Sequence, residues 1–107
     1  WLAFRKRVPE VVLFADYDGV GLQNFVRLRE RLDTPCSFWL MPDWQDMLCR
    51  YGSNQIWRDT HSDFVAATQR LAQLDPPAEL LKLCETMNRE GLALEHEAVW
   101  LAQPRMS

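Results

Sequence analysis

The stretch Val11-Val12-Leu13-Phe14-Ala15-Asp16-Tyr17-Asp18-Gly19-Val20-Gly21 constrains the fold more than any other part of the chain. An apolar run of strand length ends in two carboxylates one residue apart. Two glycines follow, and then Leu22, Phe25, Val26, Leu28 and Leu32 recur at the spacing of one helical face. From Glu10 to Ala15 the pattern is that of a parallel strand buried on both faces. Gly19 and Gly21 are expected to supply the tight turn between strand and helix. Asp33, Thr34 and Pro35 close the helix.

A second strand is expected over Cys36-Ser37-Phe38-Trp39-Leu40-Met41. Strand, helix, strand in this order predicts a right-handed βαβ unit with parallel strands. Asp43 after Pro42 is a candidate N-cap, and Trp44, Met47, Leu48 and Tyr51 then fall on one helical face that ends at Gly52. Residues 53–62 read as a polar loop. Asp63 is the expected cap of a helix through Phe64, Ala67, Thr68, Leu71 and Ala72. Pro76 and Pro77 break the chain, and Leu80, Leu81, Cys84 and Met87 form another stripe ended by Gly91. The segment from Leu92 to Leu101 fits a short strand or a helix equally. Two strands rarely make an independent sheet. A third is therefore expected from residues near 92–95 or from a region before Trp1, and the expected fold is a partial α/β domain with a short parallel sheet flanked by helices.

The chain has 107 residues, enough for one domain with one core, which spans residues 1–107. Its net charge of −3 argues against a large phosphate-tracking surface, though not against a small metal-bridged phosphate contact. Cys36, Cys49 and Cys84 are odd in number and lack a CxxC pairing, so reduced thiols of a cytoplasmic protein are expected. No apolar run approaches the ~20 residues of a membrane span, and no signal peptide is visible. The chain starts at Trp1, as a processed or excised piece would.

Ligands of open α/β sheets bind beyond the carboxyl ends of the strands, where Asp16 and Asp18 are expected. Side-chain alternation along a strand lets both point to one face. Such a pair repels itself unless a proton or cation intervenes, and Mg²⁺ takes one or two carboxylates together with waters and substrate phosphates. A following helix N-terminus favours an anion. Spacing alone leaves two readings open: a divalent-metal site, or a turn in which one carboxylate caps the helix.

The turn Asp16-Tyr17-Asp18-Gly19-Val20-Gly21 resembles the Asp-x-Asp-x-x-Gly turn of Toprim domains, as in the type IIB topoisomerase A subunit. It is more similar to the Toprim-like C-terminal domain of JetD, the nuclease subunit of the SMC/condensin-associated Wadjet plasmid-defence systems. Gly21-Leu22, Arg27-Leu28-Arg29, Leu40-Met41-Pro42-Asp43 and Leu94-Glu95-His96-Glu97 follow in the order of that family's segments, with His96 where it has Gln. The resemblance spans roughly residues 10–100. It implies Mg²⁺- or Mn²⁺-dependent cleavage of DNA phosphodiesters, with Asp16 and Asp18 holding metal and Glu95 and Glu97 adding ligands or orienting water. It also implies DNA and SMC/condensin-like subunits as partners, compatibility with a homodimer, and a nucleoid-associated location. The family's first motif is a Glu on an earlier strand. Glu10 lies too close to Asp16 to serve, so that acid would precede Trp1 and the fragment alone would be inactive.

Two other functions compete. One is a non-catalytic DNA- or protein-docking module with a decayed Toprim site. The other is a haloacid-dehalogenase-type phosphatase, which Leu13-Phe14-Ala15-Asp16-Tyr17-Asp18-Gly19-Val20 also resembles. There the first Asp is the nucleophile and the second a general acid/base. That family needs a later Lys and a further acidic pair on strand ends. Lys82 is the only later lysine, and it sits on a helical pattern. Trp39 and Trp44 fit core positions, while Trp57 beside Arg58 is placed in a loop, as packing or as a stacking surface. Arg27, Arg29 and Arg31 read mainly as a solvated side, with DNA contact as the alternative, His61 as a solvated or capping residue, and Tyr17 as packing rather than a nucleophile.

Overall fold

The computed structural model describes residues 10–32 and 34–96. Strand β1 covers Val11–Leu13, helix α1 Gly19–Arg31 and strand β2 Cys36–Phe38. The strands are parallel, with Val11 opposite Cys36, Val12 opposite Ser37 and Leu13 opposite Phe38. The expected βαβ unit is therefore present, with both strands shorter than their apolar runs. Among the described residues the sheet has these two strands only. The expected third strand near 92–95 is reduced to single antiparallel bridges, Tyr17 with Leu94 and Ser53 with Ala93.

Among the described residues four helices follow: α2 over Trp44–Tyr51, α3 over Asn54–Asp59, α4 over His61–Leu71 and α5 over Ala78–Glu90. Helix α1 packs chiefly on α4. The core gathers Leu22, Phe25 and Val26 of α1, Phe38 of β2, Leu48 of α2, Phe64 and Leu71 of α4, and Leu80, Leu83 and Met87 of α5. Tyr17 and Leu94 are fully buried in the same core. No helix among the described residues is long and apolar enough to cross a membrane.

Several expectations are corrected. Residues 54–59 form a helix, not a loop, because the Ser53 side chain accepts from the Ile56 N–H and Trp57 turns into the core at 8 % exposure. Trp57 packs edge-on to Phe64 with centroids 4.6 Å apart, so it is not a free stacking surface. Helix α4 begins at His61, and Asp63 sits in its first turn instead of capping it. Asp43 precedes α2 in the left-handed region, at φ 59° and ψ 30°, and its side chain makes no capping bond. Gly19 and Gly21 are helical residues of the first turn of α1.

The glycines have packing reasons. A Cβ on Gly19 would run into the Thr60 carbonyl oxygen and the Phe64 backbone nitrogen, and one on Gly21 into the Asp16 carbonyl oxygen. Only a residue without a side chain lets α1 start this close to α4 and to its own preceding turn.

Candidate metal site at the carboxyl end of β1

Beyond Leu13 the chain leaves the sheet but stays extended enough to pass Tyr17 under the closing segment. The Tyr17 N–H donates to the Leu94 carbonyl at 2.8 Å, and the Leu94 N–H returns a bond to the Tyr17 carbonyl at 2.9 Å. One residue before Tyr17 and two after Leu94, the His96 N–H donates to Asp16 Oδ1 at 2.8 Å across 80 positions of sequence. The acidic turn and the Leu94-Glu95-His96 segment are thus joined by three hydrogen bonds.

Tyr17 anchors the turn from below. Its hydroxyl accepts from the Met41 N–H at 2.7 Å and donates to the Trp39 carbonyl at 3.3 Å. Burial pushes its phenol above the ordinary range, against the opposing pull of the Met41 N–H. It stays protonated and structural, in line with the packing role expected for it. The His96 ring stands edge-on to Tyr17 and Trp39, with centroids 5.1 and 5.5 Å away. Position 96 therefore contributes an aromatic edge and a backbone donor.

Asp18 is the N-cap of α1, and its Oδ1 accepts from the Gly21 N–H at 2.7 Å. Burial raises its pKa most. The Gly21 and Val20 N–H groups pull it down, while the charges of Asp16 and Asp63 push it up. Asp63 is an acid near the turn that the sequence reading assigned only to capping. It comes close because α4 starts beside α1, where Gln23 Nε2 reaches Asp63 Oδ1 at 3.4 Å.

Asp16 and Asp18 line one cleft of about 360 Å³, with Leu13, Phe14, Ala15, Val20, Gly21 and Asn24 around it. Asp16 Oδ1 and Asp18 Oδ1 each accept from a backbone donor, and the Val20 N–H also acts on Asp18. Among the described residues, no three His, Cys, Asp or Glu side chains gather closely enough to hold a metal. The donor set is therefore two carboxylates, which suits Mg²⁺ with a mostly aqueous shell. A cation there would relieve the Asp16 and Asp63 repulsion, which adds to the larger effect of burial in raising Asp18.

The remaining site expectations divide. Glu95 lies between the two residues that bond to the turn, and its side chain is exposed. Glu97 lies outside the described residues. The anion site expected at the start of α1 is already filled by protein acceptors: the Gly19 N–H donates to Thr60 Oγ1 at 3.1 Å and the Gly21 N–H to Asp18. Lys82 lines a separate cleft with Asp43, Trp44, Gln45 and Glu79, away from Asp16. Arg27 and Arg31 are solvated as expected, whereas Arg29 donates to the Leu74 carbonyl at 2.6 Å. Cys36 and Cys84 are buried, and burial pushes the Cys84 thiol up to about 12, so it is inert as a nucleophile.

No protein-family model, curated protein or solved structure matches this chain.

Proposed function

We propose that this chain belongs to a metal-dependent, Toprim-type nuclease that cleaves DNA phosphodiesters, working beside SMC/condensin-like subunits in plasmid defence. The observation that supports it is the bond from the His96 amide to Asp16, which joins the two segments of the proposed motif pair. Asp16 and Asp18 would hold Mg²⁺ or Mn²⁺ through the oxygens not engaged by backbone donors. The ion would supply Lewis-acid polarisation of a phosphoryl oxygen and a more acidic water. Glu95, exposed in the segment whose His96 amide bonds to Asp16, would orient that water, with Glu97 as its proposed partner. The Gly21 and His96 amide bonds keep the two carboxylates from turning away from the cleft.

A second reading is a docking module with a decayed site. It draws on the same bonds, because a carboxylate that caps a helix has a structural reason to exist without any metal. The phosphatase reading loses support, since its only later lysine lines a different cleft.

The test is nicking of supercoiled plasmid by the full-length native protein with Mg²⁺ or Mn²⁺, beside an Asp16→Asn, Asp18→Asn double variant. Asparagine keeps an acceptor oxygen at both positions and removes both charges, so loss of nicking reads the metal and not the fold. Equal nicking by both proteins would sink the nuclease reading. A native protein that binds DNA or a partner without nicking would favour the docking reading.

A further inference from the structure

β1 pairs with β2 alone, so among the described residues its other edge is open. The Val11 N–H donates to the Pro35 carbonyl and the Leu13 carbonyl accepts from the Trp39 N–H, so these two residues use their peptide groups on the β2 side. Alternation along a parallel strand then turns the N–H and C=O of Val12 outward, and the planar peptide after Leu13 turns the Phe14 N–H the same way. The same two residues carry exposed side chains, Val12 at 37 % and Phe14 at 65 % with its ring tilted against Trp39 at 5.2 Å, whereas Val11 and Leu13 pack on the core. Open edges are normally blunted by charge, proline or a bulge. Positions 11–14 are Val-Val-Leu-Phe and carry no such residue.

The backbone groups specify an extended occupant, and charge specifies which one. Two-fold antiparallel pairing with a second copy about Leu13 would set Val12 against Phe14, but also Glu10 of each copy against Asp16 of the other. Like charges directly opposite destabilise a strand pair. The edge is also only about four residues long, far short of the ~1,600 Å² that a stable dimer interface buries. An apolar strand with basic residues at both ends meets Glu10 at one end and the Asp16 and Asp18 carboxylates at the other.

We propose that the open edge of β1 takes up an extended apolar segment flanked by basic residues, which adds a third strand to the sheet by main-chain hydrogen bonds. The segment lays its alternate side chains on Val12 and Phe14. This proposal shares the Asp16 and Asp18 charges with the proposed metal site but needs no metal, so its test without metal lets either fail alone.

The probe is a synthetic peptide of alternating valine and threonine between paired lysines, titrated into the isotope-labelled protein without metal. Saturable shifts of the Val12 and Phe14 amides, with slowed solvent exchange of both, are the expected result. A peptide with proline at its centre should bind at least about tenfold more weakly, since proline cannot donate to the ladder. Paired glutamates in place of the lysines should weaken binding as well. Val12→Pro removes only an outward N–H, so it should keep the β1–β2 bonds and lose the peptide. The proline peptide gives the same test without touching the protein. No shift at β1 at millimolar peptide, or equal binding by the proline peptide, would overturn the proposal. Concentration-dependent self-association with shifts at Val12 and Phe14 would overturn it in favour of the second copy.

Discussion

At Asp18 the backbone N–H groups of Gly21 and Val20 favour the carboxylate, while burial and the charges of Asp16 and Asp63 disfavour it, and the second set prevails. A carboxyl whose folded pKa is raised binds its proton more tightly in the folded than in the unfolded chain. Stability therefore falls as pH rises from the ordinary aspartate range through the raised value. Asp18→Asn keeps the cap acceptor and removes the repulsion. It should match or exceed the native stability in urea unfolding at neutral pH, and the gap should close on acidification. Asp18→Ala also loses the cap and should fall about 1 kcal/mol below Asp18→Asn. Equal stability of the two variants would show that the cap contributes nothing. The Tyr17 hydroxyl is a second test at this scale. Tyr17→Phe leaves the buried Met41 N–H without its acceptor and should cost about 1–3 kcal/mol by the same measurement.

The elements legible in the sequence are those with a long period or a firm stop. β1, α1, β2 and α2 fall within the stretches that the apolar runs and the Gly52 terminator mark, but both strands are cut to three residues, α1 starts earlier, at Gly19, and Val12 and Phe14 are exposed where a run buried on both faces was expected. Helix α3 was not legible by period, since six residues hold too little repeat. Its one local signal was Ser53 three residues ahead of Ile56, a capping spacing inside a segment that otherwise reads as polar loop. The start of α4 was misplaced because Asp63 imitates a cap, whereas Thr60 takes the position before the helix and lends its hydroxyl to Gly19. That contact makes Gly19 an element-scale residue. Alanine is the better helix former by about 1 kcal/mol, yet its Cβ would meet the Thr60 carbonyl and the Phe64 nitrogen, neither of which can move without shifting α4. Gly19→Ala should therefore destabilise by roughly 1–3 kcal/mol in thermal or urea unfolding. A neutral or stabilising result would mean that α1 and α4 do not pack this closely.

At the scale of the whole molecule, the site depends on two segments that periodicity cannot connect. Asp16 meets the His96 amide across 80 positions, and local pattern carries no information at that range. Only the order of the motifs in the resembled family pointed to the pairing. Leu94 is the fully buried residue that fixes the closing segment, with both of its backbone groups bonded to Tyr17. Leu94→Ala removes buried apolar volume and should cost about 2–5 kcal/mol. Its effect on the site is separable from that loss. A cation that binds only the folded chain adds RT ln(1 + [M]/Kd), about 1.4 kcal/mol at about 10 mM Mg²⁺ for a Kd near 1 mM. Urea unfolding with and without Mg²⁺ should show that increment in the native chain and none in the Asp16→Asn, Asp18→Asn variant. In Leu94→Ala, measured where the variant is still folded, the increment should shrink, because the His96 amide no longer holds Asp16 toward Asp18. A full increment in Leu94→Ala would show that the closing segment stabilises the fold without positioning the carboxylates.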